Sequence, residues 1–212
     1  MTDPIGPWHE HGYDLQWRAT TDPRILEVIE RQTDTSTMAP DGDGLAPAYW
    51  FEYRGGWSAD RAGSTFDDED AADAIATAWN TWGRSRSDTA ERYLRIFHGI
   101  EFVELSGPSQ GDLLVLIDSP GYRKNIGHTG TEHGEWLLSG DIEMWQAYID
   151  GDVWAIGHAV LEERVTDETP VDLDGQDWDM QIEVYGFFGA TWARESLADI
   201  EWPTLDSMLP TV

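Results

Sequence analysis

Six histidines are the residues best able to do chemistry in this chain, because several of them stand beside acids. His128 and His133 frame the run HTGTEHGE, together with Glu132 and Glu135. Two imidazoles and the Glu132 carboxylate make a donor set that suits a divalent metal, with positions left for water. The spacing, H-x4-H in a glycine-containing loop, differs from the helical HExxH of metallohydrolases. The simpler reading is a polar loop with solvated histidines. His9-Glu10-His11 would place both imidazoles on one face if the segment were a strand, but a loose terminus is the default there. His98 closes a helical run, where the helix dipole favours a cation.

Other catalytic patterns are scarce. The chain has no cysteine, which removes disulfides, thiol catalysis and Cys-ligated zinc together. Neither G-x-S-x-G nor G-x-x-x-x-G-K-[ST] occurs. With 41 acids, close carboxylate pairs are inevitable and carry no weight. Asp118 is a partial exception, because it ends an apolar strand where a site residue of an α/β sheet would project. It serves equally to start the turn with Ser119-Pro120. Of the twelve tryptophans, Trp79, Trp82, Trp145 and Trp192 fall on helical stripes and read as core. Trp50, Trp57 and Trp154 read as core or as an exposed aromatic surface.

The elements that would position these residues alternate without a regular βαβ rhythm. Strands are expected at Tyr13–Arg18, Ala48–Tyr53 and Ile100–Leu105. LLVLI at 113–117 reads as a central strand covered on both faces. Asp22-Pro23 has the form of an N-cap and first helical residue, with Ile25, Leu26 and Ile29 as an apolar side. DDEDAADAIATAWNTWG reads as a helix with acids in its first turn and Gly83 at its exit. Asp88 and Glu91 suit a capping box for a helix from Thr89 to Phe97. Ser119-Pro120 opens a short helix, and Ile142, Trp145 and Ile149 form another helical stripe. Val153–Val165 and Trp178–Phe188 read as an antiparallel pair, and 190–200 as a last helix. The expected class is α+β: one domain over 1–212, mostly antiparallel sheet packed with several helices, with 1–12 and 203–212 as loose tails.

Thirteen basic residues against 41 acids give a net charge of −28. Residues 1–83 hold 16 acids and 5 bases, 84–124 hold six of each, and 131–212 hold 19 and 2. Such a balance argues against direct binding to nucleic acid or an anionic membrane. No apolar run approaches a membrane span, and Met1–Gly12 does not read as a signal peptide, so a cytoplasmic protein is expected. A compact chain of this length spans about 43 Å, over which duplex DNA carries about 25 phosphates. The total charge therefore permits nucleic-acid mimicry, although only a stripe of carboxylates would achieve it.

Three runs, AERYLRIFHG at 90–99, WQAYIDGDVW at 145–154 and EVYGFFG at 183–189, occur in an order that resembles a family of hypothetical proteins of actinobacterial phages. The resemblance covers about Ala90 to Asp199. Trp154 stands where that family usually has Tyr, and Val184-Tyr185 where it usually has Cys-Trp. The resemblance implies a phage-type origin and no particular activity. Together these features predict a small acidic accessory protein that binds a host or phage protein with a basic surface, in the host cytoplasm if phage-encoded. It would inhibit that partner as a nucleic-acid mimic in the sharpest form of this reading. The expected surface is Asp167, Glu168, Asp172, Asp174, Asp177 and Asp179, and no cofactor is expected. The alternatives are a metal-dependent enzyme built on His128 and His133, or a salt-adapted protein whose acidity is solvation.

Overall fold

The structure is a computed structural model, and it describes residues 6–22, 24–33, 39–42, 44–63, 66–106, 113–128, 135–161 and 178–197. The class is α+β, with two antiparallel sheets accompanied by helices. The chain resolves into two compact units, 1–34 with 152–212, and 35–151. The second is inserted in sequence between two paired strands of the first, so no linker composition marks its boundaries.

The discontinuous unit holds a five-stranded sheet in the order β1-β2-β3-β8-β9. Its strands are β1 (His9–His11), β2 (Leu15–Ala19), β3 (Ile25–Arg31), β8 (Val153–Leu161) and β9 (Trp178–Phe188). Residues 25–31 depart from the helical expectation. The Asp22 carboxylate accepts from the Arg24 backbone at 2.9 Å, and the Thr20 hydroxyl donates to the Ile25 carbonyl at 2.9 Å, which closes a turn instead of starting a helix. Ile25, Val28 and Ile29 are stiff β-branched residues, and every residue from Ile25 to Ile29 is buried. Covered on both faces, the strand carries apolar residues at 25, 26, 28 and 29 around Glu27, and the i, i+3, i+4 spacing of 25, 28 and 29 mimics a helical stripe. The segment His9–His11, expected in a loose tail, is the edge strand β1, and the His9 ring stacks on Trp17 at 4.4 Å.

One face of this sheet, with Ile29, Trp154 and Ile156, packs under Ala193 of helix α5 (Ala190–Ser196) and under Leu197. The same face carries a buried ion pair between Arg18 Nε and Glu27 at 2.7 Å. The opposite face gathers Trp17, Leu26, Val28 and Ala159.

The inserted unit holds a four-stranded sheet in the order β5-β4-β7-β6, formed by β4 (Ala48–Tyr53), β5 (Trp57–Gly63), β6 (Glu101–Ser106) and β7 (Leu113–Asp118). All six residues of β7 are buried, as expected for a central strand. Its odd positions join the core under helix α1 (Glu69–Trp82), where Trp79 meets Phe51 at 4.8 Å and Trp57 at 5.0 Å. Leu114 and Leu116 join the core formed with Tyr122, Leu138, Trp145 and Ile149 from α3 (Pro120–Asn125) and α4 (Glu135–Ile149).

Helix caps tie these layers together. Asp68 caps α1 by accepting from Ala71, and Ser119 caps α3 by accepting from Tyr122. The Ser119 hydroxyl also donates to Asp68, and the Tyr49 hydroxyl donates to Asp67. A Cβ on Gly121 would lie 2.9 Å from Asp68 Oδ2, so glycine lets the two caps meet. Helix α2 (Ser87–Tyr93) runs into a five-residue π-helical turn, Leu94–His98, which Gly99 ends at φ +66°.

Candidate binding surface

The sequence-predicted carboxylates lie mostly outside the described residues; Asp167, Glu168, Asp172, Asp174 and Asp177 all do. Asp179 is described, exposed, and second in β9. It leads inward: Gln181 donates from Nε2 to Asp179 at 2.9 Å, and its Oε1 faces Nε2 of buried His158 at 3.0 Å. Because Gln181 spends its amide nitrogen on Asp179, its oxygen must accept, so His158 donates from Nε2.

What makes β9 unusual is its path along β8. Trp154 pairs with Phe187 and Ile156 with Val184, which is three steps on β9 against two on β8. Ile156 to Gly157 then matches Val184 to Ile182, two steps against one. Two extra residues therefore sit on β9 between 182 and 187, and Gly186 takes φ +89° within them. Bulges break the strict alternation of faces and re-aim side chains. The result is that Val184 and Tyr185, neighbours in sequence, are both exposed, at 37% and 54%.

Beside the bulge, the strand turns through Gly189 into α5, and the Gly189 amide donates to the Asp152 carbonyl at 2.8 Å. The Asp152 carboxylate accepts from Trp154 Nε1 at 2.6 Å. This fixes the corner from which Trp192 projects. Expected in the core, Trp192 is 47% exposed, with its ring 5.6 Å from Phe187 and 6.2 Å from Phe188. Val184, Tyr185 and Trp192 are thus three exposed side chains on the segment where β9 leads into α5. Among the described residues β9 pairs with β8 alone, so it is a sheet edge. The sequence placed a helix here, 190–200, but the spacing that put Trp192 in the core gave no sign of the β9 bulge.

The remaining predicted residues are dispersed. His128 follows α3, with its amide donating to the Arg123 carbonyl at 2.8 Å, while Glu132 and His133 lie outside the described residues. Among the described residues no group of three His, Asp or Glu is arranged to hold a metal ion. Asp118 does not project into a crevice. It is fully buried and paired with Arg123 Nε at 2.7 Å, and Arg123 reaches on to the Gly99 carbonyl at 2.9 Å. This ion pair binds β7, α3 and the end of the π turn. Trp154 is buried, and Trp50 and Trp57 are half-buried against the two cores of the inserted unit. Among the described residues no helix is long and apolar enough to cross a membrane.

Compared with protein-family models, curated proteins and solved structures, the chain matches none.

Proposed function

We propose that the protein acts by binding another protein through the corner of β9 and α5, with the partner presenting a basic surface. The observation that carries this reading is the exposure of Tyr185 on the bulged edge strand β9 and of Trp192 on the helix that follows it, with exposed Asp179 near the start of the strand. Tyr and Trp are the side chains that most often anchor interfaces, and their faces also attract arginine and lysine. A basic partner would stack on these rings and pair with Asp179 and with the acids that precede it in sequence.

Nucleic-acid mimicry remains the narrower form of this reading and rests on the net charge of −28. A surface that imitates phosphates presents carboxylates without aromatic anchors, so the patch favours ordinary protein recognition. The resemblance of residues 90–199 to phage-encoded proteins supports an accessory role in the cytoplasm of a host cell. Replacing Tyr185 with a photo-crosslinking phenylalanine analogue should trap a partner in cells of the source organism. The same analogue at Tyr13, which is 93% exposed, serves as the control. Equal trapping from both positions would contradict the proposal.

A further inference from the structure

A second surface, carrying two exposed arginines, lies on the inserted unit, and it goes beyond the reading above. In this acidic chain six arginines, Arg18, Arg24, Arg54, Arg61, Arg84 and Arg123, each have a carboxylate within ion-pair distance. Arg92 and Arg95 have none among the described residues, and both are exposed. They sit on the last turn of α2 and in the π turn, the same short stretch that exposes Ile96 at 59% and Phe97 at 72%.

The π turn explains this exposure. Ala90 and Leu94 are fully buried, and in a regular α-helix Phe97 would follow them on the same face as the i, i+4, i+7 member. The wider turn breaks that phase, and the Leu94 carbonyl accepts from Ile100 six residues on, at 3.3 Å. Phe97 swings into solvent, resting on Tyr93 at 5.2 Å, with His98 on the other contact of that ring at 5.2 Å. Such turns are rare and frequent at functional sites. Here the turn leaves a phenylalanine in water, two residues after Arg95 and five after Arg92, and among the described residues neither arginine has an ion-pair partner.

We infer that the Arg92–His98 face docks a short acidic, apolar segment of a partner protein. Carboxylates of that segment would meet Arg92 and Arg95, and its apolar side chains would cover Ile96 and Phe97. Charge decides between this occupant and a nucleic acid. The seven residues 92–98 extend about 10 Å, close to the screening length of about 8 Å at physiological salt. A short peptide held at the Arg95–His98 end meets both arginines and lies beyond Asp88 and Glu91, one helical turn earlier. A nucleic-acid strand would run on past the patch, with a charge at every phosphate, into the field of a protein whose net charge is −28. Asp88 and Glu91, exposed four residues before Arg92 and Arg95, temper those two charges and leave the end of the helix as the favourable site.

The probe is a fluorescein-labelled twelve-residue peptide of Asp, Glu, Leu and Phe, titrated against the full chain by fluorescence anisotropy. Saturable binding that weakens roughly tenfold or more in Arg92→Glu/Arg95→Glu and in Phe97→Ala is the expected result. Binding should also fall with added salt, and a version of the peptide with Lys in place of its acids should lose no binding in Arg92→Glu/Arg95→Glu. Circular dichroism verifies folding of the variants, and Ile96→Ser provides a further substitution at an exposed position. Absence of saturable peptide binding overturns the inference, as does binding unchanged in the variants or tighter binding of an oligothymidine. None of these substitutions falls within β9 or α5, so their outcome is read separately from that of the Tyr185 and Trp192 variants.

Discussion

The two central strands, β7 and β8, are both buried along their whole length, yet they are built on different terms. β7, in the inserted unit, reads LLVLID, and its pairing with β4 and β6 runs without a break in register. Its one polar side chain, Asp118, is neutralised at the strand end by Arg123. β8, in the discontinuous unit, reads VWAIGHAVL, and its pairing with β9 slips twice. A Cβ on Gly157 would lie 2.2 Å from the Gln181 carbonyl oxygen, so β9 lies where only glycine allows it. The regular strand supports a core, whereas the irregular pairing turns side chains outward. Irregular register is what gives one sheet its exposed aromatic corner, and a π turn plays the same part on the other unit.

The largest effect is expected from the buried pair on the regular strand. Arg123→Ala leaves the Asp118 carboxylate uncompensated and should cost about 3–5 kcal/mol in urea unfolding. Arg18→Ala, which breaks the pair with Glu27 in the discontinuous unit, should cost less. Side-chain exposure is 18% for Arg18 and 8% for Glu27, against 10% for Arg123 and 1% for Asp118. Equal losses would erase this distinction between the two units.

Gly157→Ala comes next, at about 2–3 kcal/mol, because the added carbon meets backbone that cannot yield cheaply. It should also disturb β9 and weaken any binding that depends on Tyr185. A substitution that leaves the stability unchanged would show that the close approach is not required. Asp68→Ala removes the α1 cap and the acceptor for Ser119, with an expected loss of about 1–2 kcal/mol.

Proton linkage should differ in sign between the units. Asp22 is held below its ordinary value, chiefly by its hydrogen bond with Arg24. Its contribution is therefore present above the unfolded value of 3.8 and is lost as pH falls through the lower folded value. Asp141 is raised by burial, although Ala46 and Tyr122 hydrogen-bond it. Its folded form binds the proton more tightly, so stability declines as pH rises from 3.8 through its folded value. Asp141→Asn should flatten that decline, and Asp22→Asn should remove the opposite trend, in unfolding curves taken at successive pH values. The smallest effects belong to exposed residues: Phe97→Ala and Tyr185→Ala should each change stability by no more than about 0.5 kcal/mol.

Much of the inserted unit was legible in sequence because its signals are local. Ser119, Gly83 and Gly99 lie at helix ends as their types predict, and LLVLI takes an inner position in its sheet. The α+β class and the antiparallel pairing of β8 with β9 follow from the same kind of pattern. β3 was misread because burial on both faces puts apolar residues at 25, 26, 28 and 29, a pattern with no strand period. The exposed corner was less legible, since a bulge depends on how two distant segments register. Phe97 follows the helical stripe in sequence, and only the π turn takes it off that stripe. Trp192 was assigned to the core by its spacing, while its actual place depends on the turn at Gly189.

The central claim is that binding resides in the corner of β9 and α5. The most direct measurement is the dissociation constant of the partner trapped through position 185, for the wild-type protein and for Tyr185→Ala/Trp192→Ala. Two interface anchors lost together should weaken binding by roughly a hundredfold or more, with the urea midpoint nearly unchanged. An unaltered dissociation constant in the folded double variant would contradict the account.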